Sequence, residues 1–82
     1  MSTATFKRGQ FVQVAYNGQT IEAMVLLASE NSQSLMLVFA GAVRTPSGGM
    51  MLGQMPLLMD DDGVYRDLVE NQPASLTPRQ VQ

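Results

Sequence analysis

The residues with most to offer chemistry lie between Gly48 and Gly63, in the stretch GGMMLGQMPLLMDDDG. Met50, Met51, Met55 and Met59 fall within it, and thioethers are soft ligands suited to Cu(I). Met51, Met55 and Met59 are four residues apart, a spacing that stacks side chains on one face of a helix. Pro56 disrupts such a helix, and Gly48, Gly49 and Gly53 weaken it further. On a strand the same spacing keeps one face but sets neighbours roughly 13 Å apart. The chain has no His and no Cys to complete a copper site. A membrane-surface helix would need basic residues on its polar face, and this stretch has none. The spacing therefore predicts strand and turn. Methionine there serves as an adaptable core filler or as part of a surface that binds partners loosely.

Asp60, Asp61 and Asp62 invite a hard cation, which takes carboxylate ligands. The acids are contiguous, so in an extended segment they point alternately outward, and a solvated turn is the plainer reading. No metal and no cofactor is expected. Catalysis has little to draw on. Without His or Cys the usual acid–base and thiol chemistries are absent. Ser29, Ser32 and Ser34 sit in a polar turn with no base nearby in sequence, and Asp67 and Glu70 are expected on a solvated face. The chain is read as a non-enzyme more readily than as an enzyme.

The net charge is −2, and the basic residues are Lys7, Arg8, Arg44, Arg66 and Arg79. Only Lys7 and Arg8 are adjacent, whereas nucleic-acid binding usually needs a basic stripe. Nucleic acid is therefore an unlikely partner. Arg8, Arg44 and Arg66 remain candidates for a small phosphate-bearing ligand, because the planar guanidinium fork suits phosphate. The longest apolar run, Leu35 to Val43, is far short of the roughly 18–20 residues that span a bilayer. No signal peptide is read in MSTATFKRGQ, so the expected location is the cytoplasm, with no membrane partner.

The elements that must carry these residues read as strands. QFVQVAY alternates, with Val12, Val14 and Tyr16 on one face and Phe11, Gln13 and Ala15 on the other. Asn17-Gly18 then signals a hairpin, because a type I′ turn needs positive φ at both central residues. TIEAMVLLA follows, with Ile21, Ala23, Val25 and Leu27 opposite Glu22, Met24 and Leu26. SENSQS is a polar turn, and LMLVF, Leu35 to Phe39, is a third strand. Residues 41–49, GAVRTPSGG, read as a flexible loop. Met50 to Met59 is extended, and Pro56 requires an edge position or a bulge. Asp62-Gly63 turns into VYRDLV, residues 64–69, and ASL adds a final short strand. Residues 1–5 are expected to be disordered and residues 78–82 frayed, leaving one domain over residues 6–77.

Five to six short strands with tight Gly, Asn and Asp turns predict an all-β fold, a small SH3-like barrel of antiparallel strands. The second and third strands are apolar on both faces, whereas a small barrel buries one face of each strand. A second apolar face is left over, and such patches mark interaction sites. Met24, Leu26, Met36 and Val38 are its candidate residues. An 82-residue chain without cysteine also has no disulfide to reinforce a modest core, and oligomerisation is a common remedy.

The segments RGQFVQV, the Asn17-Gly18 hairpin, VLLASENSQSLMLVF and GQMPLLMDDDGVYRDL, within residues 7–76, resemble small uncharacterised bacterial proteins of the SH3-like barrel type. That resemblance implies a fold rather than a function. A lesser resemblance is to PilZ domains, small barrels that bind cyclic di-GMP. Ser29 matches the serine of their strand motif, but Leu27 stands in place of the acid or amide and Ser32 in place of the glycine. Lys7-Arg8 is not their spaced arginine pair, and these departures remove most of the ligand contacts. Plasmid-borne small-barrel dihydrofolate reductases, tetramers around a central pore, are similar in size and expected fold. Their pore motif is absent, and the corresponding strand is LMLVF. The leading expectation is a non-catalytic barrel that binds itself or an unidentified protein through apolar strand faces. A nucleotide- or small-molecule-binding barrel using Arg8, Arg44 or Arg66 is the alternative, and an oligomeric pore enzyme the third.

Overall fold

A computed structural model describes residues 5–79. The segments 1–4 and 80–82, within the expected disordered and frayed termini, lie outside the described residues. The strands are β1 (Phe11–Tyr16), β2 (Gln19–Ala28), β3 (Ser34–Arg44), β4 (Met50–Met59), β5 (Tyr65–Asp67) and β6 (Pro73–Pro78), with one 3₁₀ turn at Glu30–Ser32. Each strand pairs antiparallel with the next, and β6 returns to β1, closing a six-stranded barrel. The fold is all-β, as the alternation predicts.

β1 shows the pattern in its simplest form. Val12, Val14 and Tyr16 are buried and Phe11, Gln13 and Ala15 are exposed. Asn17 and Gly18 take φ of 49° and 75°, the left-handed pair that an I′ hairpin requires. Inward residues of the other strands meet those of β1 in one core: Ala23 and Val25 from β2, Leu35, Leu37 and Val43 from β3, Met51, Met55 and Leu57 from β4, Tyr65 from β5 and Ala74 from β6. Phe6 plugs one end, edge-on to the Tyr65 ring at 6.0 Å. The buried Ser32 hydroxyl holds it there, accepting from the Phe6 N–H and donating to the Phe6 carbonyl, both at 2.9 Å.

Two bulges decide what the alternation alone does not. β2 and β3 pair Val25 with Leu37 but Leu27 with Met36, so Leu26 is an extra residue without a partner. A one-residue insertion reverses the facing of everything beyond it. Leu27, expected alongside Ile21, Ala23 and Val25, is therefore turned outward and 57% exposed. In β3 the register jumps between Val38, opposite Gln54, and Ala42, opposite Leu52. Gly41 and Gly53 take φ of 90° and 72° at this step, angles that suit glycine.

The flexible loop expected over residues 41–49 is not what forms. β3 continues to Arg44, and a tight turn follows, with Thr45 N–H donating to Gly49 C=O at 2.9 Å and Gly48 N–H to Thr45 C=O at 3.0 Å. Glycine and proline mark the turn correctly, but Ala42, Val43 and Arg44 before it have a partner strand in β4. At the other end of the chain the ladder reaches Pro78, and Arg79 N–H donates to the Phe11 carbonyl at 2.9 Å.

The register predicts opposite outcomes for two leucines of the same chemistry. Leu37→Ala, in the core, should cost about 2–5 kcal/mol in urea unfolding. Leu27→Ala, on the outside of the bulge, should cost less than about 1 kcal/mol. A reversal of that order would mean that the β2–β3 register is shifted by one residue.

Candidate functional site

The barrel's outer wall gathers the apolar side chains that the core does not use. Directly paired residues of antiparallel strands share a face. Phe11 pairs with Met24 and Met24 with Val38, giving one apolar row across β1, β2 and β3. Leu27 pairs with Met36 and Met36 with Pro56, giving a second across β2, β3 and β4. Leu68 extends that second row, its N–H donating to the Pro56 carbonyl at 3.1 Å. Two open hollows lie along these rows. One, of ≈ 370 Å³, lies over Phe11, Met24, Val38 and Phe39, with the Arg79–Glu22 ion pair at its rim. The other, of ≈ 350 Å³, is lined by Leu27, Met36, Pro56 and Leu68 among others.

The four residues expected on an apolar interaction face fall as follows. Met24 and Val38 are direct partners and half-buried, and Met36 is half-buried in the adjoining row. Leu26 is the unpaired residue of the bulge, half-buried between the two rows in sequence. Phe11 and Leu68, both in these rows, were not readable as members. Phe11 belongs to the wet face of β1, and Leu68 falls after β5 has ended. Only the register brings them to Met24 and Pro56.

The arginines do not converge. Arg8 lies in a turn whose Gly9 N–H donates to the Val25 carbonyl, and Arg44 ends β3 beside Gln19, so the two mark opposite ends of the β1–β2 ribbon. Arg66 is engaged: Nε donates to Asp60 Oδ2 at 2.9 Å and Nη1 to the Asn71 carbonyl at 3.0 Å. Asp60 also accepts from the N–H groups of Asp62 and Val64, at 2.9 and 3.0 Å. The Val64 bond and Arg66 hold its carboxyl below the usual range. It thus acts as the organiser of its own turn. Among the described residues no three His, Cys, Asp or Glu side chains stand together to hold a metal ion. The methionines divide: Met51 and Met55 are in the core, Met59 packs against it and Met50 is 64% exposed.

The titratable group that sequence reading misplaced is Asp67, expected on a solvated face and in fact 1% exposed. It caps the barrel's other end. Oδ2 accepts from the Tyr16 hydroxyl at 2.8 Å and the Gln72 N–H at 3.0 Å, and Oδ1 from the N–H groups of Val69 and Glu70 at 2.7 and 2.6 Å. Burial alone would raise this carboxyl. The bonds from Glu70, Tyr16, Gln72 and Val69 outweigh it and hold the group below the usual carboxylate range. Burial, then the hydrogen bond and charge of Asp67, push the Tyr16 phenol well above its ordinary value. Every acceptor position is filled by the fold, so the pair is structural. Beside it, Glu70 accepts from the Ser47 N–H at 2.9 Å and hydroxyl at 2.5 Å, tying the β3–β4 turn to the 68–72 loop.

Among the described residues no helix is long and apolar enough to cross a membrane. Comparison with known proteins finds no matching family model, no matching curated protein and no matching solved structure.

Removing the hydroxyl in Tyr16→Phe should cost about 1.5–3 kcal/mol, the range for a hydrogen bond to a charged group. The pH dependence has a definite sign. Because Asp67 titrates lower in the folded state, the unfolded chain binds the proton first as pH falls. Its contribution is complete above the ordinary carboxylate value of 3.8 and is lost as pH falls through the lower folded value. Urea midpoints measured from pH 6 downward should fall below about pH 4, and less steeply in Asp67→Asn than in the parent.

Proposed function

We propose that this chain is a non-catalytic binding barrel that associates with protein, a second copy or another chain, through its apolar outer wall. The observation that carries the reading is the register, which joins Phe11–Met24–Val38 and Leu27–Met36–Pro56–Leu68 into neighbouring rows on one side of a closed barrel. A core-filling role does not account for these side chains, because the interior is already occupied from every strand. Contiguous apolar area on the outside of a small domain is the usual mark of a contact surface. Methionine suits such a surface because its flexible thioether adapts to varied partners. The fully bonded state of Asp67, the engagement of Asp60 by its own turn and by Arg66, and the separation of Arg8, Arg44 and Arg66 give less support to catalysis or to a phosphate-ligand site.

Met36 is central in the second row and half-buried, so Met36→Asp places a charge in the wall without emptying the core. Sedimentation equilibrium should show a lower mass for this variant than for the parent, with the strand signature in circular dichroism unchanged. A folded Met36→Asp barrel of unaltered mass would remove the wall from self-association. An unfolded variant would place Met36 in the core and contradict the register.

A further inference from the structure

Beyond the second bulge, β3 and β4 form a two-stranded ribbon whose two edges are treated differently. The Thr45–Gly49 bond fixes which residues of the ladder exchange hydrogen bonds, because bonded and non-bonded pairs alternate. Val43 and Met51 therefore bond to each other, while Ala42 and Arg44, on β3, and Met50 and Leu52, on β4, turn their N–H and C=O groups away from the ribbon. On the β3 edge this is satisfied at Arg44. Arg44 N–H donates to Gln19 Oε1 at 3.0 Å, and the Arg44 carbonyl accepts from Gln19 Nε2 at 2.8 Å and Asn17 Nδ2 at 3.1 Å. On the β4 edge nothing comparable is present. Among the described residues, the outward N–H and C=O groups of Met50 and Leu52 have no protein partner. Gln54 faces the same way, since Pro56, two residues on, directs its carbonyl to that edge and to Leu68.

An open edge is a template for another extended strand. The composition of the edge indicates whose strand fits. In a two-fold contact each copy presents the same surface, so a charge near the axis meets itself. Residues 45–59 contain no charged residue at all. The side chains there are apolar and free, with Leu52 73% and Met50 64% exposed. The lysines and inward-pointing charges that commonly blunt an edge are missing.

We propose that β4 pairs antiparallel with β4 of a second copy of this chain, with the two-fold axis beside Leu52. Leu52 then lies opposite the second copy's Leu52, and Met50 opposite its Gln54. All three residues face outward on both strands, so each of these pairs exchanges two hydrogen bonds. The contact buries the Leu52 side chains against each other and continues the β3–β4 sheet from one barrel into the next. Its length is limited at one side by Leu68, which already occupies the Pro56 carbonyl. This surface is distinct from the outer wall, and either contact can exist without the other.

The test combines sedimentation equilibrium across micromolar concentrations with amide exchange of the intact chain by NMR. The parent should sediment as a dimer or a multiple of one, and the amides of Met50, Leu52 and Gln54 should exchange slowly. Leu52→Asp sets two carboxylates face to face across the axis and should weaken the contact by roughly tenfold or more. The same three amides should then lose protection, while Met51, bonded to β3, keeps it. Met50→Lys, off the axis, should act in the same direction and serves if Leu52→Asp does not fold. Met36→Asp should leave the protection of these amides intact, which separates failure of the edge from failure of the wall. A monomeric parent, an oligomer whose Met50 and Leu52 amides exchange freely, or folded edge variants of unchanged mass would overturn the proposal.

Discussion

Asp67 accepts four hydrogen bonds, three from backbone N–H groups of the loop that follows it and one from the distant Tyr16 hydroxyl, and the closure of the barrel depends on them. β5 is three residues long, yet it is the strand that joins β4 to β6. So short a strand contributes few ladder bonds. The carboxylate supplies what the ladder lacks: it gathers the amides of the 68–72 loop on one side and reaches Tyr16, at the end of β1, on the other. The buried charge is tolerable because each of its oxygens is met by two donors. Ser32 plays the neutral counterpart at the opposite end, fixing Phe6 beneath Tyr65. Polar side chains thus hold both ends of the barrel, and apolar residues fill what lies between.

The two bulges distribute the remaining apolar residues. β2 and β3 carry more hydrophobic side chains than one face can bury. The extra residue at Leu26 sends Leu27 to the outside, where it meets Met36 and Pro56 instead of the core. The jump between Val38 and Ala42 inserts two residues, which keeps the alternation of β3, so Val43 stays on the buried face of Leu35 and Leu37. One outcome is a dense core in a chain of 82 residues; the other is an outer wall with two apolar rows. The wall is a consequence of how the core is completed, and it is the feature on which the proposed binding role rests.

Closure removes edges only where strands overlap. The end of β3 is sealed by a side chain, with Gln19 bonding both the N–H and the carbonyl of Arg44. β4 outruns β5, so part of its length is paired on one side only. Pro56 sits where this does least harm. Its missing N–H would have faced the β5 side, and its carbonyl still receives the Leu68 amide.

The sequence by itself determined the strands and most of their turns. Val12, Val14 and Tyr16 declare their face by alternation, Asn17-Gly18 declares its turn by the φ angles it permits, and Met50 to Met59 is strand over the range its composition indicates. These signals are local: they depend on sterics within a residue or two and on a period of two. The surplus of apolar residues in β2 and β3 was equally legible. Only the tertiary structure decided that Leu27 faces out, that residues 42–44 are strand, that Phe11 and Leu68 complete the outer rows, and that Asp67 is buried under Tyr16. Each of these depends on which residue stands opposite which across the barrel. Register is set by the summed fit of distant strands, and one bulge reverses the facing of all that follows, so no local pattern can encode it.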